Sequence, residues 1–461
     1  MNAPVIRLFG LVIVLFGVLV GFTSRWTVFE AEALRENPNN RRVLFAEQLI
    51  KRGIIRAADG TVLAGNRALP RERYGRRYPE GELFSHPVGF TSLDRGRTGL
   101  EEFYNDPLTG RRTDAIGALE RLLGPQKIGD DLTTTLVPRA QEAAYRGLGD
   151  RPGAVVALDV ETGAVRALAA TPTFDPTEPA NAETFSRATQ GRFPPGSTFK
   201  TVTATAALDS GRYEPGSQVS GENGKVISGT PLNNFGNEDF GQIDLTFALT
   251  NSVNTVWAEV GEELGKETMG QYMERFGFYE DPPMDYPDGQ MVPSGEYGPR
   301  GRLLSPTSDQ IDVGRMAIGQ DKLLVTPLQM ATVAQTIANG GVPMEPRLVE
   351  KVLDPDGRTI DEPLPDEAER VMSEETAAAL GDMMRNVVRE GTGTAAALEG
   401  VEVAGKTGTA EIDIAAGINT LWFIGFTDEF AVAAVLERQQ GGFGGTEAAP
   451  IARAVLRALG E

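Results

Sequence analysis

Gly400-Val401-Glu402-Val403-Ala404-Gly405-Lys406-Thr407-Gly408-Thr409-Ala410-Glu411-Ile412 admits two readings, and they imply different folds. Its first eight residues match the phosphate-loop pattern G-x-x-x-x-G-K-T letter for letter. Such a loop works only between a strand and a helix, where backbone N–H groups cradle phosphates. Here Val401 and Val403 are strand formers, Glu402 would face phosphate, and Thr-Gly-Thr-Ala-Glu-Ile continues as strand. Val155 to Asp159, an apolar run ending in an acid, is the one other feature that suits a nucleotide site. We therefore read 401–414 as a strand and keep a P-loop nucleotide hydrolase as the remote alternative. Gly408 then removes a side chain where another backbone can approach, such as an extended peptide added as an extra strand.

A strand needs partners, and the flanking sequence supplies them. Leu421–Phe426 and Phe430–Leu436 enclose Asp428-Glu429, and Ala154–Leu158 and Ala164–Leu168 enclose Glu161-Thr162-Gly163, so each pair reads as a hairpin. The middle of the chain supplies helices near Phe199–Leu208, Leu245–Thr250, Thr255–Leu264, Pro327–Ala338 and Glu374–Arg389, and Pro450–Leu459 closes it. A sheet drawn from both ends with helices from the middle predicts one α/β (α+β) domain. Gly391-Thr392-Gly393-Thr394 repeats the Gly-Thr pattern without a Lys and reads as a loop after a helix.

Two further motifs precede this strand. In Ser197-Thr198-Phe199-Lys200, the preceding Pro194-Pro195-Gly196 cannot be helix interior, which puts Ser197 at a helix N-terminus among free N–H groups. Lys200, three residues on, shares a face with Ser197. Burial and a neighbouring cation can lower its pKa until it accepts the Ser197 proton. Taken alone, the motif also suits an N-cap beside a solvated Lys. Asn251-Ser252-Val253-Asn254 is a turn between helices, where a hydroxyl can pass a proton to a leaving amine and an amide can hold a substrate backbone; in isolation it suits a helix cap. Lys406 and Thr407 suit a terminal carboxylate. Strict pleating puts them on opposite faces, so both reach one cleft only along the strand edge or through a local twist. The N–H groups of Ser197 and Thr409 suit an oxyanion hole. Together the motifs supply a nucleophile, a base, a relay and a carboxylate anchor for acyl transfer at a serine without histidine.

Composition narrows the alternatives. The 461 residues contain no Cys, which excludes disulfides, thiolate catalysis and Cys-based zinc sites, and one His, which excludes a multi-histidine metal site. No metal or cofactor is expected. His86 lies in Leu83-Phe84-Ser85-His86-Pro87, far from Ser197 in sequence, and is assigned a structural role. Residues 1–150 carry 21 Lys and Arg against 18 Asp and Glu, a balance of +3; the rest carry 23 against 46, a balance of −23. The acidic remainder argues against nucleic acid as a partner.

Leu8 to Phe22 is an unbroken apolar run extendable to Ser24, preceded by Arg7 and followed by Arg25. Without a small-x-small cleavage site it reads as an uncleaved anchor. Residues 1–7 become a short cytoplasmic tail, 8–24 a transmembrane helix, and everything beyond lies outside the cytoplasm. Residues 25–149 read as a mixed α/β module: two strands around a Gly turn within Ile54–Ala64, a helix over Ala115–Leu123, a strand over Leu132–Val137 and a helix from Pro138 to Leu148. Residues 150–461 form the second domain.

The three motifs in this order resemble the penicillin-recognising serine acyl transferases. Gly191-Arg192-Phe193-Pro194-Pro195-Gly196, Ala317-Ile318-Gly319-Gln320, Thr326–Ala331 and Ala338-Asn339-Gly340-Gly341 extend the resemblance. Arg52-Gly53-Ile54-Ile55 and Thr98-Gly99-Leu100-Glu101 resemble the non-catalytic N-terminal module of class B penicillin-binding proteins, most like the actinobacterial penicillin-binding protein A group. The resemblance implies a transpeptidase domain with a mainly antiparallel sheet flanked by helices. It also implies a D,D-transpeptidase in which Ser197, Lys200 and Ser252 are catalytic, and Asn254, Lys406, Thr407, Gly408 and Thr409 bind substrate. Implied partners are peptidoglycan stem peptides, β-lactams that acylate Ser197, the cell membrane, and a glycosyltransferase or cell-division or elongation proteins. A D,D-carboxypeptidase or a β-lactam sensor on the same fold is the alternative.

Overall fold

The computed structural model describes residues 3–26, 45, 47–111, 128–181, 183–413 and 415–461. It opens with α1, Ala3–Ser24, five residues earlier than the apolar run. Pro4 falls in the first turn, where a missing N–H costs nothing, and Val5 and Ile6 extend the apolar face through Arg7. None of α1 is buried against the rest of the protein, and its mean hydropathy is 2.7. Its 22 residues reach ~33 Å at ~1.5 Å per residue, long enough to cross a bilayer core.

The N-terminal module contains β1 (Ile55–Arg56), β2 (Val62–Leu69), β3 (Arg73–Arg77) and β4 (Asp131–Thr134). β1 and β2 pair around a turn at Gly60, whose φ of +89° suits glycine. β4 is shorter than the alternation of Leu132–Val137 suggested. Beyond Thr134, the Thr135 hydroxyl donates to the Val165 carbonyl at 2.7 Å and its N–H to the Leu348 carbonyl at 2.8 Å. The helix expected over 115–123 lies outside the described residues. α2 (Pro138–Leu148) starts on its proline as expected. The module is pinned by Glu101, which is fully buried. Burial alone would raise its pKa, but the Arg76 and Arg52 guanidiniums hold it below the usual carboxylate range.

The remaining chain supplies β5 (Gly153–Asp159), β6 (Val165–Thr171), α3 (Lys200–Asp209), α4 (Leu245–Thr250), α5 (Asn254–Arg275), α6 (Pro327–Ala338), β7 (Val349–Leu353), β8 (Thr359–Asp361), α7 (Glu374–Arg389), β9 (Ala404–Asp413), β10 (Ile418–Phe426), β11 (Phe430–Gln440) and α8 (Gly444–Gly460). Five of these strands form an antiparallel sheet in the order β9-β10-β11-β5-β6, so both ends of the domain do meet in one sheet. β5 is apolar without alternation because helices cover both faces. Val155 and Ala157 pack with Ala144 of α2 and Ile451 of α8, while Ala154, Val156 and Leu158 pack with Leu328 and Ala331 of α6.

Other elements also depart from the sequence expectation. α5 continues past Leu264, broken at Gly265 with φ +77°. α8 begins at Gly444, before Pro450, which lies inside the helix. β7 and β8, unanticipated, cross back to complete the N-terminal sheet in the order β8-β7-β4-β1-β2-β3.

Candidate active site

Ser197 lies in a single 3-10 turn, Gly196–Phe199, that runs directly into α3. The regular helix therefore starts at Lys200, three residues after the expected position. Gly196 forces the offset: its φ is +52°, its N–H donates to Gly319 at 2.9 Å, and a Cβ there would lie 3.0 Å from the Thr409 carbonyl. Phe193 exchanges two backbone hydrogen bonds with Val325, each 2.9 Å, and the Trp422 indole donates to the Pro194 carbonyl at 2.9 Å. The nucleophile turn is thus held by the sheet and by the segment before α6. Phe199 is buried edge-to-face on Phe278.

Gly408 of β9 explains why that strand passes so close. A Cβ would sit 2.6 Å from the Pro195 carbonyl and 3.0 Å from Trp422. The backbone that approaches Gly408 is the chain's own nucleophile turn. Gly405-Lys406-Thr407 lies inside β9, paired residue by residue with Gly425, Ile424 and Phe423. A residue paired in a ladder cannot wrap phosphates, and no helix follows it, so the phosphate-loop reading fails.

Lys200 and Lys406 are both fully buried, and both point at Ser252. Lys406 Nζ donates to Ser252 Oγ at 2.9 Å and to the Thr407 carbonyl at 3.1 Å. Lys200 Nζ lies 3.2 Å from the same Oγ, 2.7 Å from the Ser252 carbonyl and 2.7 Å from Asn254 Oδ1. Burial, and then the charge of Lys406, push Lys200 well below an ordinary lysine pKa. Burial brings Lys406 to about 7. Ser252 has φ +58°, a left-handed conformation that a non-glycine residue adopts at a cost and that turns its carbonyl onto Lys200. Asn254 opens α5 and donates Nδ2 to the Asn233 carbonyl at 3.2 Å.

The opposite faces expected for Lys406 and Thr407 are observed. Lys406 reaches Ser252, whereas the Thr407 hydroxyl meets the Thr392 hydroxyl at 2.7 Å. Thr409 Oγ1 accepts from the Gly444 N–H at 3.2 Å, on the side of α8. Ser197, half-buried, makes no side-chain hydrogen bond to Lys200 among the described residues; such contacts often tighten only with substrate. His86 is buried at the module junction, its Nε2 3.1 Å from the Pro172 carbonyl, and burial lowers its pKa to about 4.

Sequence reasoning missed four contributors. Thr392, set aside as loop, abuts Thr407. Asn234 Oδ1 accepts from the N–H of Thr255 at 3.0 Å and fixes the start of α5. Phe235 and Phe443, both exposed, meet edge-to-face 5.3 Å apart, one from the Asn233 loop and the other beside Gly444.

A serine on a helix-entry turn, three residues before one of two buried amines that share one hydroxyl, defines the class: a serine acyl transferase. Residues 153–457 match the family model of the penicillin binding protein transpeptidase domain, and residues 52–129 match that of the penicillin binding protein A dimerisation domain. The chain belongs to the penicillin-binding protein transpeptidase family. It is 32% identical to the peptidoglycan D,D-transpeptidase PbpA of Mycolicibacterium smegmatis over 99% of both chains. The PbpA of Mycobacterium tuberculosis is also 32% identical, again over 99% of each. The structure of M. tuberculosis penicillin-binding protein A as a ceftriaxone acyl-enzyme complex superposes with a TM-score of 0.79 at 30% identity, covering 90% of this chain and 99% of that one. The D,D-transpeptidase domain of an Eggerthella lenta peptidoglycan glycosyltransferase superposes with a TM-score of 0.76 at 31% identity, over 89% and 98%.

Proposed function

We propose that the protein is a peptidoglycan D,D-transpeptidase that cross-links stem peptides through an acyl-enzyme on Ser197 and that β-lactams acylate at the same serine. The observation that carries this is the pair of buried lysines converging on Ser252, one of them three residues after Ser197. A neutral Lys200 keeps two N–H groups, which satisfy the Ser252 carbonyl and Asn254, and frees a lone pair to take the Ser197 proton. Ser197 Oγ then attacks the penultimate D-Ala carbonyl. The N–H groups of Ser197 and Thr409 receive the oxyanion. Ser252 gives its proton to the departing terminal D-Ala amine and is resupplied by a lysine. An amine from a neighbouring stem attacks the acyl-enzyme and restores Ser197. Asn254 and Lys406 to Thr409 hold the donor, Gly408 by letting the turn and strand close together.

In this reading α1 anchors the protein, with a short cytoplasmic tail over 1–7 and the membrane span over 8–24. A non-catalytic module over 25–149 and the transpeptidase domain over 150–461 lie on the extracytoplasmic side. The two family-model matches support that division. Partners from the machinery of glycan polymerisation, cell division or elongation would meet the module.

Labelling with a fluorescent penicillin, followed by mass spectrometry, tests the site. One stable adduct is expected on Ser197, absent in Ser197→Ala; an adduct elsewhere would refute the assignment. Turnover of a donor peptide with and without an amine acceptor separates transpeptidation from D,D-carboxypeptidation. Release of D-Ala without any cross-linked product would establish the latter.

A further inference from the structure

The β2–β3 hairpin carries chemistry that catalysis does not use. Residues 67–77 include five arginines and one acid, Glu72, within a chain of net charge −20. The core of the module consumes one of the five: Arg76 turns inward to the buried Glu101. Arg52 is likewise paired with Glu101, and Arg97 with Glu47. Arg67, Arg71, Arg73 and Arg77 have no carboxylate partner among the described residues. Arg67 and Arg77 flank Gly75 on one face of the ribbon, since Arg67 pairs with Gly75 and Gly65 with Arg77. The Arg67 side chain lies across Gly75, where a Cβ would meet its Nε at 3.0 Å. Arg73 spends its guanidinium on the Pro70 carbonyl and on Gln48, bracing the base of the tip.

The tip itself is strained. Arg71 and Glu72 have φ of +65° and +54°, a left-handed pair usually given to Asn or Gly, yet here filled by two long charged residues. β3 is also the edge of the six-stranded sheet, and an arginine-rich edge resists pairing with another strand. Two copies of one basic hairpin repel each other, so the ribbon does not suit self-association. Unpaired guanidiniums on an outward ribbon fit phosphate oxygens in pairs. The same chain carries an apolar helix suited to a bilayer, so the polyanion already at hand is its headgroup layer.

We infer that the 67–77 hairpin docks on anionic phospholipid headgroups through Arg67, Arg71 and Arg77 and so holds the N-terminal module against the bilayer that α1 enters. The inference rests on reading α1 as a membrane anchor.

The chain has no cysteine, so Leu69→Cys in the full-length protein gives one labelling point for an environment-sensitive dye, on the face of the ribbon that carries Arg67. The protein is reconstituted into zwitterionic vesicles and into vesicles with anionic phosphatidylglycerol. A blue shift is expected only with phosphatidylglycerol, reversed at about 0.5 M salt, where the screening length falls to roughly 4 Å. It should be lost in Arg67→Glu/Arg71→Glu/Arg77→Glu, which retains wild-type labelling by fluorescent penicillin. Equal emission in both vesicles, or a shift that survives the triple substitution, overturns the docking. A shift produced by soluble polyphosphate in zwitterionic vesicles, and larger than that of phosphatidylglycerol, overturns it in favour of an anionic polymer. Flotation with zwitterionic vesicles tests the anchor separately: failure to float refutes α1 as a span whatever the dye reports.

Discussion

Ser252 Oγ accepts from Lys406 Nζ and lies 3.2 Å from Lys200 Nζ, which leaves its own proton to give away. Two ammonium groups in a dry site repel, so Lys200, lowered both by burial and by Lys406, is the one to lose its proton. Acylation should therefore rise with pH as Lys200 deprotonates. Lys406→Met removes the second cause, so the acid limb of the residual rate should move to higher pH. Stopped-flow acylation across pH checks this, and an unmoved limb would assign it to another group. The rate itself should fall by roughly 100-fold or more. Lys406→Met should change stability in the opposite sense to the rate. Both lysines have folded pKa values below the unfolded ~10.4, so the folded state binds fewer protons and stability declines as pH falls from ~10.4. The Lys406 contribution levels off below about 7. At pH 7, Lys406→Met should raise Tm, corresponding to roughly 1–4 kcal/mol, because a buried charge is replaced by an apolar chain.

At the scale of elements, β9 is where the site is assembled. It touches the nucleophile turn through Gly408, the relay turn through Lys406, the 391–394 loop through Thr407 and the start of α8 through Thr409. Gly408→Ala would drive a methyl to 2.6 Å from the Pro195 carbonyl. The turn must then shift while the rest of the sheet stays paired. A loss of acylation of at least about 10-fold, with an unchanged circular dichroism spectrum, is expected, since small misplacements of a nucleophile are costly. Thr392→Val should weaken donor binding more than turnover, because it frees the Thr407 hydroxyl without touching Ser197. A steady-state comparison should show KM rising with kcat nearly kept. The strand and its motif were legible from strand-forming residues and glycine placement. The role of Thr392 was not, because a Gly-Thr loop carries no sign of what packs against it.

At the scale of the molecule, the two modules are joined by Asp285. Its Oδ1 accepts from the Leu348 N–H at 2.6 Å, and its Oδ2 from the Val349 N–H at 2.9 Å and the Tyr104 hydroxyl at 3.0 Å. Burial raises its pKa to about 6 despite these donors. Asp285→Ala leaves buried N–H groups at the start of β7 unpaired, so unfolding free energy should fall by about 1–3 kcal/mol. Calorimetry should show an earlier transition, or two transitions as the modules uncouple. Nothing in the sequence marked Asp285 or the crossing of β7 and β8, since partners more than 60 residues away leave no periodic trace. What the sequence determined by itself was local: the apolar span, the hairpins, the helices over 327–338 and 374–389, and three motifs whose order identified a family. Backbone propensity and side-chain period act over a few residues, so they can be read along the chain. Only tertiary structure decided that Ser197 enters its helix through a 3-10 turn wedged against β9. The same holds for the meeting of Lys200 and Lys406 on Ser252 and for the second sheet completed by strands from the far half of the chain. Those outcomes depend on burial and close backbone contact between distant segments, which exist only once the chain has packed.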